Sequence, residues 1–257
     1  MGLKVCNLFS GSTGNCTFVS GGQTNILVDA GAMPTRIERA LRVLGVNADA
    51  LSILITHRHS DHISGLAAFI KRHPAVCVYA DADTAAYLDA TLPPANIRVF
   101  STVDFYLGDL TVTPVPLSHD VPCVGFCFTC GGKKAAYFTD TGYFPLAALE
   151  AARDADLVLI ECNHSPDLLL SNDKYPPVLK RRILGKKGHL SNEACAEAVV
   201  TLCRAGVKHF MLGHLSQENN YPELAERAVR EALEREGLQA GLTLTFPDRL
   251  SELMEIV

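Results

Sequence analysis

The chain has 257 residues, 48% of them apolar and 20% charged, with a formal net charge of −5 at pH 7. This ordinary globular composition excludes a disordered or low-complexity chain, and no apolar run is long enough to span a bilayer. The negative balance argues against indiscriminate coating of nucleic acid, but it leaves room for a local basic patch, because binding follows charge distribution rather than the total.

Strands dominate the first half. Residues 3–9, 16–20 and 24–28 are short apolar or alternating runs, separated by Gly11-Ser12-Thr13-Gly14-Asn15 and Gly21-Gly22. A helix is predicted over 34–44, with Pro34 suited to its first turn and Gly45 to its end. A buried strand over 50–55 leads into a polar loop, 56–65, and then a helix, 65–72. A strand at 76–79, a helix at 83–89 and a β-rich stretch from 97 to 138 follow. Beyond residue 144 helices (145–152, 177–184, 192–205, 222–236) alternate with strands (157–161, 208–212, 242–246). No repeat or linker divides the chain, so one domain, 1–257, is expected. Two β-rich halves, each edged by helices, make an α/β fold of the αββα sandwich type. The N-terminal residues do not read as a signal peptide, so a cytoplasmic protein with no membrane partner is expected. The nine cysteines are odd in number and lie mostly among apolar neighbours, as buried thiols of a reducing compartment do.

The strongest chemical signal is Thr56-His57-Arg58-His59-Ser60-Asp61-His62, which carries three of the nine histidines and an aspartate directly after a buried strand. Imidazole and carboxylate bind borderline divalent ions, and a loop leaving a strand can aim several at one point. Further donors stand at later strand ends: His119 after 110–115, Asp140 after 135–138 and His214 after 208–212. Each alone would pass as a turn residue. Together with the His57 loop they read as metal ligands.

This pattern resembles the metallo-β-lactamase superfamily, whose hallmark is His-x-His-x-Asp-His followed by separated His, Asp and His. The resemblance implies that fold, with two mixed β-sheets flanked by helices. It further implies one metal on His57, His59 and His119, a second on Asp61, His62 and His214, and Asp140 bridging them. Asp29, in Leu27-Val28-Asp29-Ala30-Gly31, matches an early aspartate that orients the histidine loop. A closer resemblance, to the WalJ/YycJ family, rests on Phe9-Ser10-Gly11-Ser12-Thr13-Gly14-Asn15 and Gly188-His189-Leu190-Ser191-Asn192. Glu161-Cys162-Asn163-His164 and His214-Leu215-Ser216-Gln217-Glu218-Asn219-Asn220 support it. That family implies a metal-dependent nuclease with 5′-to-3′ exonuclease action on DNA and a link to DNA repair.

Two metals suit hydrolysis without choosing the bond. Lys180-Arg181-Arg182 and Lys186-Lys187 tilt the choice towards phosphate, since clustered cations can follow a nucleic-acid backbone. Substrate contacts are expected from Lys186, Lys187, Ser191 at a helix N-cap, and Ser12 and Asn15 in the glycine loop. His189 is expected to act as phosphate ligand or general acid, His164 is the weaker choice for that role, and Asp61 is expected to orient the attacking hydroxide. The partner is then DNA, single-stranded or with a free end, and Phe9, Tyr143, Tyr175 or Tyr221 could stack on bases. Zinc, manganese or iron all fit the donor set. A phosphodiesterase for small cyclic or dinucleotide phosphates and a metal-bearing binding module are the alternatives; protein partners are not legible.

Overall fold

The computed structural model describes residues 2–257. In chain order it contains β1 (Leu3–Phe9), β2 (Cys16–Gly21), β3 (Thr24–Val28), α1 (Pro34–Val43), β4 (Ser52–Leu54), α2 (Ser60–Ile63), α3 (Leu66–Arg72), β5 (Cys77–Ala80), α4 (Ala82–Leu88), β6 (Ile97–Val99), β7 (Phe105–Leu107), β8 (Leu110–Pro116), β9 (Val124–Cys130), β10 (Lys133–Phe138), α5 (Leu146–Ala151), β11 (Leu157–Glu161), α6 (Pro166–Ser171), α7 (Pro177–Leu184), α8 (Asn192–Arg204), β12 (His209–Gly213), α9 (Pro222–Arg235), β13 (Gly241–Leu244) and β14 (Met254–Ile256). The strands form two mixed seven-stranded sheets, ordered β14-β1-β2-β3-β4-β5-β6 and β13-β12-β11-β10-β9-β8-β7, and helices flank them. No helix among the described residues is long and apolar enough to cross a membrane.

The chain forms two compact units. The first runs as far as Pro114 and adds Phe128–Lys133 and Phe246–Val257; the second comprises Val115–Cys127 and Lys134–Thr245. In the first unit β14, β1, β2 and β3 pair antiparallel, and β3 to β6 pair parallel. Its core gathers Leu8, Phe18, Leu27, Ile53, Phe69 and Val78 with Ile37 and Leu41, the inward stripe of α1. Gly45, at φ 69°, turns the chain off that helix as expected of a residue without a Cβ.

In the second unit β10, β11, β12 and β13 run parallel. Every residue of β11 is buried, which explains the apolar run from Leu157 to Ile160: a central parallel strand has no wet face. α8 and α9 pack together and bury Val199, Leu202, Val229 and Leu233 in a core shared with Phe138, Ile160 and Phe210. Truncating a phenylalanine as enclosed as Phe138 costs about 3–5 kcal/mol. The Ser191 hydroxyl accepts from Ala194 N at 3.2 Å and so starts α8 as an N-cap.

All nine cysteines are thiols, most of them buried. Three elements depart from the sequence reading. α2 puts a helical turn inside the expected polar loop, and α6 and β14 are additional.

Candidate metal centre

Parallel neighbours end on the same side of a sheet, and in open α/β sheets the carboxyl ends of such strands carry sites. In the first unit Asp29 follows β3 and the Thr56–His62 segment follows β4. Asp29 N–H donates to Leu54 O at 2.8 Å, while Asp29 itself adopts φ 64°. Its buried carboxylate accepts from Thr56 N–H (2.9 Å), the Thr56 hydroxyl (3.0 Å) and His62 Nδ1 (2.7 Å). Burial pushes the Asp29 carboxyl above its ordinary value, and His62 and Thr56 pull the other way. Thr56 Oγ1 also meets His57 Nδ1 at 3.0 Å, so one carboxylate orders two imidazoles, one through the threonine hydroxyl. The rings of His57 and His59 lie 4.7 Å apart and those of His57 and His62 4.2 Å apart. α2 carries Asp61 and His62 into the same cluster. Thus the first unit brings together all four ligands expected of its loop.

In the second unit Asp140, Glu161 and His214 stand at the ends of the adjacent parallel strands β10, β11 and β12. Asp140 (φ 62°) and His214 (φ 55°) share the left-handed backbone of Asp29. Non-glycine residues held there carry of order 1–3 kcal/mol of strain each, which clusters at functional sites. Glu161, fully buried, is the organiser. Its Oε1 accepts from His189 Nδ1 at 2.8 Å and His214 Nδ1 at 2.7 Å, and its Oε2 from Thr141 N–H and Leu190 N–H, both at 3.1 Å. Burial alone would raise its carboxyl, but the charge and hydrogen bonds of His189 and His214 outweigh that and hold it at about 2. His189 is raised in turn: burial opposes the imidazolium, and Glu161 and then Asp140 more than compensate. Donor atoms of Asp140, Glu161, His189 and His214 all lie within 4.8 Å of one another. Since both Glu161 oxygens are engaged by N–H donors, Glu161 reads as a brace for two histidines rather than as a ligand. In the sequence Glu161 stands out only as part of Glu161-Cys162-Asn163-His164. The signal was there: a lone carboxylate closing an otherwise apolar strand.

His119 follows β8, and its Nδ1 meets Gly188 O at 3.2 Å. The segment between α7 and His189 is strapped to this loop by Ser118 Oγ donating to Lys186 O at 2.8 Å and by an Arg182–Asp120 ion pair. An added Cβ at Gly142 would run into the Lys186 backbone, so only glycine permits the approach. Lys186 and Lys187 are exposed beside it, and α7 buries none of its side chains.

The remaining expected residues are placed differently from one another. His164 is 1% exposed, its ring nitrogens meet no hydrogen-bonding partner, and burial holds it at about 4, so it is neutral at pH 7. Ser12 is exposed at the tip of the glycine loop. Asn15 is buried and faces the metal loop, with Nδ2 at 3.3 Å from Asp61 Oδ2. The Ser191 hydroxyl is taken up by its cap. Asn163, Asn192 and Asn220 form a buried amide network: Asn220 Nδ2 donates to Cys162 O (2.9 Å) and Asn192 Oδ1 (2.8 Å), and Asn163 Nδ2 to His214 O (2.8 Å). Those motif asparagines fasten the strand ends that carry Glu161 and His214.

The donor set fits divalent ions. His62, His119 and His214 each direct Nδ1 at an oxygen acceptor, Asp29, Gly188 O and Glu161 respectively. That fixes the tautomer with the proton on Nδ1 and leaves Nε2 as the basic nitrogen, the arrangement metal-binding histidines use.

A family model described as "Beta-lactamase superfamily domain" matches residues 24–215. The chain is 35% identical over 254 residues to a Bacillus anthracis protein named exodeoxyribonuclease YycJ, with 96% of each chain covered. It is 33% identical to exodeoxyribonuclease WalJ of Streptococcus pneumoniae, over 100% of this chain and 99% of that one. Among solved structures, the metallo-beta-lactamase fold protein YhfI of Bacillus subtilis superposes with a TM-score of 0.77 at 16% identity, covering 99% of this chain and 100% of that chain. This last likeness is one of fold.

Proposed function

From the premise that this chain belongs to the beta-lactamase superfamily and, within it, to the family of the YycJ and WalJ exodeoxyribonucleases, we propose that it is a metal-dependent 5′-to-3′ exonuclease acting on DNA ends. Membership makes it a metallo-β-lactamase-type hydrolase. The observation that carries the finer reading is the Glu161–His189 pair beside Asp140, next to a strapped segment bearing Lys186 and Lys187.

Each residue has a role in this reading. His57, His59 and His119 would hold one divalent ion and Asp61, His62 and His214 the other, with Asp140 available to both. Zinc or manganese is the expected occupant, and iron is compatible with the same donors. When bound, the ions lower the pKa of a water towards neutrality and offset charge on the phosphate. Asp61 orients the attacking water. His189, whose imidazolium form the Glu161 carboxylate favours, delivers a proton to the leaving oxygen. His164, neutral and buried, is the poorer acid. Lys186 and Lys187 hold the backbone of a single-stranded end, and half-exposed Tyr143, next to the Gly142 strap, offers a stacking face. Residues 1–257 act as one functional domain, in line with relatives that align along the whole chain. A cytoplasmic role in DNA repair follows from the same reading.

The test is incubation of protein loaded with zinc or manganese with 5′- and 3′-end-labelled single- and double-stranded DNA, with products resolved by length. Mononucleotide release from the 5′ end that disappears in Asp140→Ala supports the proposal. Hydrolysis of bis(p-nitrophenyl) phosphate with intact oligonucleotides refutes it in favour of a small-substrate phosphodiesterase. Oligonucleotide breakdown that persists in Asp140→Ala removes the bridging role.

A further inference from the structure

The Ser10–Asn15 segment invites reading as a phosphate loop, yet its hydrogen bonds run inward. Asn15 is 1% exposed, its own N–H donates to Asp61 O at 2.7 Å, and its carbonyl accepts from Gly31 N–H at 2.9 Å. Gly31 is pressed so close that an added Cβ would run into the Asp61 carbonyl. The Asn15 amide is oriented without ambiguity. Gly11 N–H, which can only donate, meets Oδ1 at 2.8 Å, so the other end of the amide is the NH₂. That NH₂ lies 3.3 Å from Asp61 Oδ2 and 3.1 Å from His62 Nε2.

Those two acceptors are themselves only 3.4 Å apart. His62 donates its Nδ1 proton to Asp29, so Nε2 presents a lone pair, as does the Asp61 carboxylate. Two lone pairs that close repel unless something electropositive faces both. An NH₂ has two protons, one for each in the metal-free protein; an ion that takes the single lone pair of His62 Nε2 displaces that bond, and the bond to the Asp61 carboxylate, which has further lone pairs, remains.

We propose that Asn15 is a positioning residue of the metal centre, one that keeps Asp61 and His62 side by side in the metal-free protein and goes on holding the Asp61 carboxylate once an ion takes His62 Nε2. This rests on reading Asp61 and His62 as ligands. It reassigns Asn15 from substrate contact to ligand support, leaving exposed Ser12 and Thr13 as the only polar side chains of the 11–15 loop turned to solvent. A carboxamide is the side chain the position needs: its oxygen anchors Gly11 and its nitrogen serves the ligands. Aspartate would keep the first bond and reverse the second.

The experiment compares wild type, Asn15→Asp, Asn15→Ala and His62→Ala. Metal-free protein is titrated with Co²⁺ against a chromophoric chelator, the visible spectrum of the Co²⁺ form is recorded, and kcat and KM are measured on a labelled oligonucleotide. Asn15→Ala is expected to weaken binding of one ion about 10–100-fold, the usual cost of losing a ligand's supporting partner. Asn15→Asp keeps the Gly11 anchor and so reports on the ligands even if the alanine variant folds poorly. Its expected signature is an altered Co²⁺ spectrum and a kcat about tenfold or more below wild type, with KM within about threefold. A wild-type spectrum and kcat in Asn15→Asp, or ion affinity within twofold of wild type in folded Asn15→Ala, overturns the proposal. His62→Ala separates the two readings. If it binds both ions like wild type, the ligand assignment fails, whereas loss there with an indifferent Asn15 means that only the positioning role is wrong.

Discussion

Replacing Glu161 by glutamine tests the second-unit cluster at the level of single protons. The carboxylate accepts four hydrogen bonds, two from imidazoles and two from the backbone, and exposes none of its surface. Glutamine offers one oxygen and one NH₂. With the oxygen towards the histidines, the NH₂ confronts the N–H groups of Thr141 and Leu190, and two buried donors go unsatisfied at about 1–3 kcal/mol each. With the oxygen towards the backbone, the NH₂ confronts Nδ1 of His189 and His214. Each ring must then move its proton to Nε2, the nitrogen that the proposed metal role of His214 requires bare. Glu161→Gln therefore loses either about 2–6 kcal/mol of stability or about 10–100-fold in ion affinity. Urea unfolding of metal-free protein reads the first, and competitive zinc titration the second. A variant within about 0.5 kcal/mol and twofold of wild type on both measurements would refute the bracing role, since that spread is what an unremarkable substitution gives.

Reversing charge at the strap, Lys186→Glu with Lys187→Glu, should lower affinity for single-stranded DNA and reduce the slope of log affinity against log salt by about two, while sparing bis(p-nitrophenyl) phosphate turnover; equal loss on both substrates would mean damage to the centre. His164, depressed from 6.5 to about 4 by burial, binds its proton less readily folded than unfolded. Its contribution to stability is therefore complete above pH 6.5 and is lost as pH falls towards 4, by about 3 kcal/mol at most. His164→Leu should flatten that part of the pH dependence in urea unfolding at pH 7 and pH 5, and identical slopes in the two proteins would contradict it. In Asp140→Ala, oligonucleotide cleavage should fall by about a hundredfold or more with DNA binding retained; a binding defect of the same size would point to misfolding instead.

How much was legible in the sequence depended on whether the signal was local. Buried parallel strands such as β11 declared themselves as apolar runs, α1 by Pro34 at its start and Gly45 at its end, and α8 by the Ser191 cap. The His57 loop stood out because donors were dense, and Asp140 and His214 because each closes an apolar strand. α6 and α2 are too short for periodicity to register. β14 exists only through pairing with β1, Leu3 against Ile256, which no neighbouring residue announces. The same limit hid the partners of Glu161 and of Asn15, His189 and His214 for the one and Asp61 and His62 for the other, because all of them are distant in sequence.

The most direct measurement is an anomalous-scattering map from a crystal of zinc- or manganese-loaded protein, collected at the absorption edge of that metal. Two peaks should appear, one within about 2.3 Å of His57, His59 and His119 and the other within that distance of Asp61, His62 and His214, with Asp140 shared between them. A map from fully loaded crystals with no peak among these side chains would contradict the metal centre and the hydrolytic chemistry built on it.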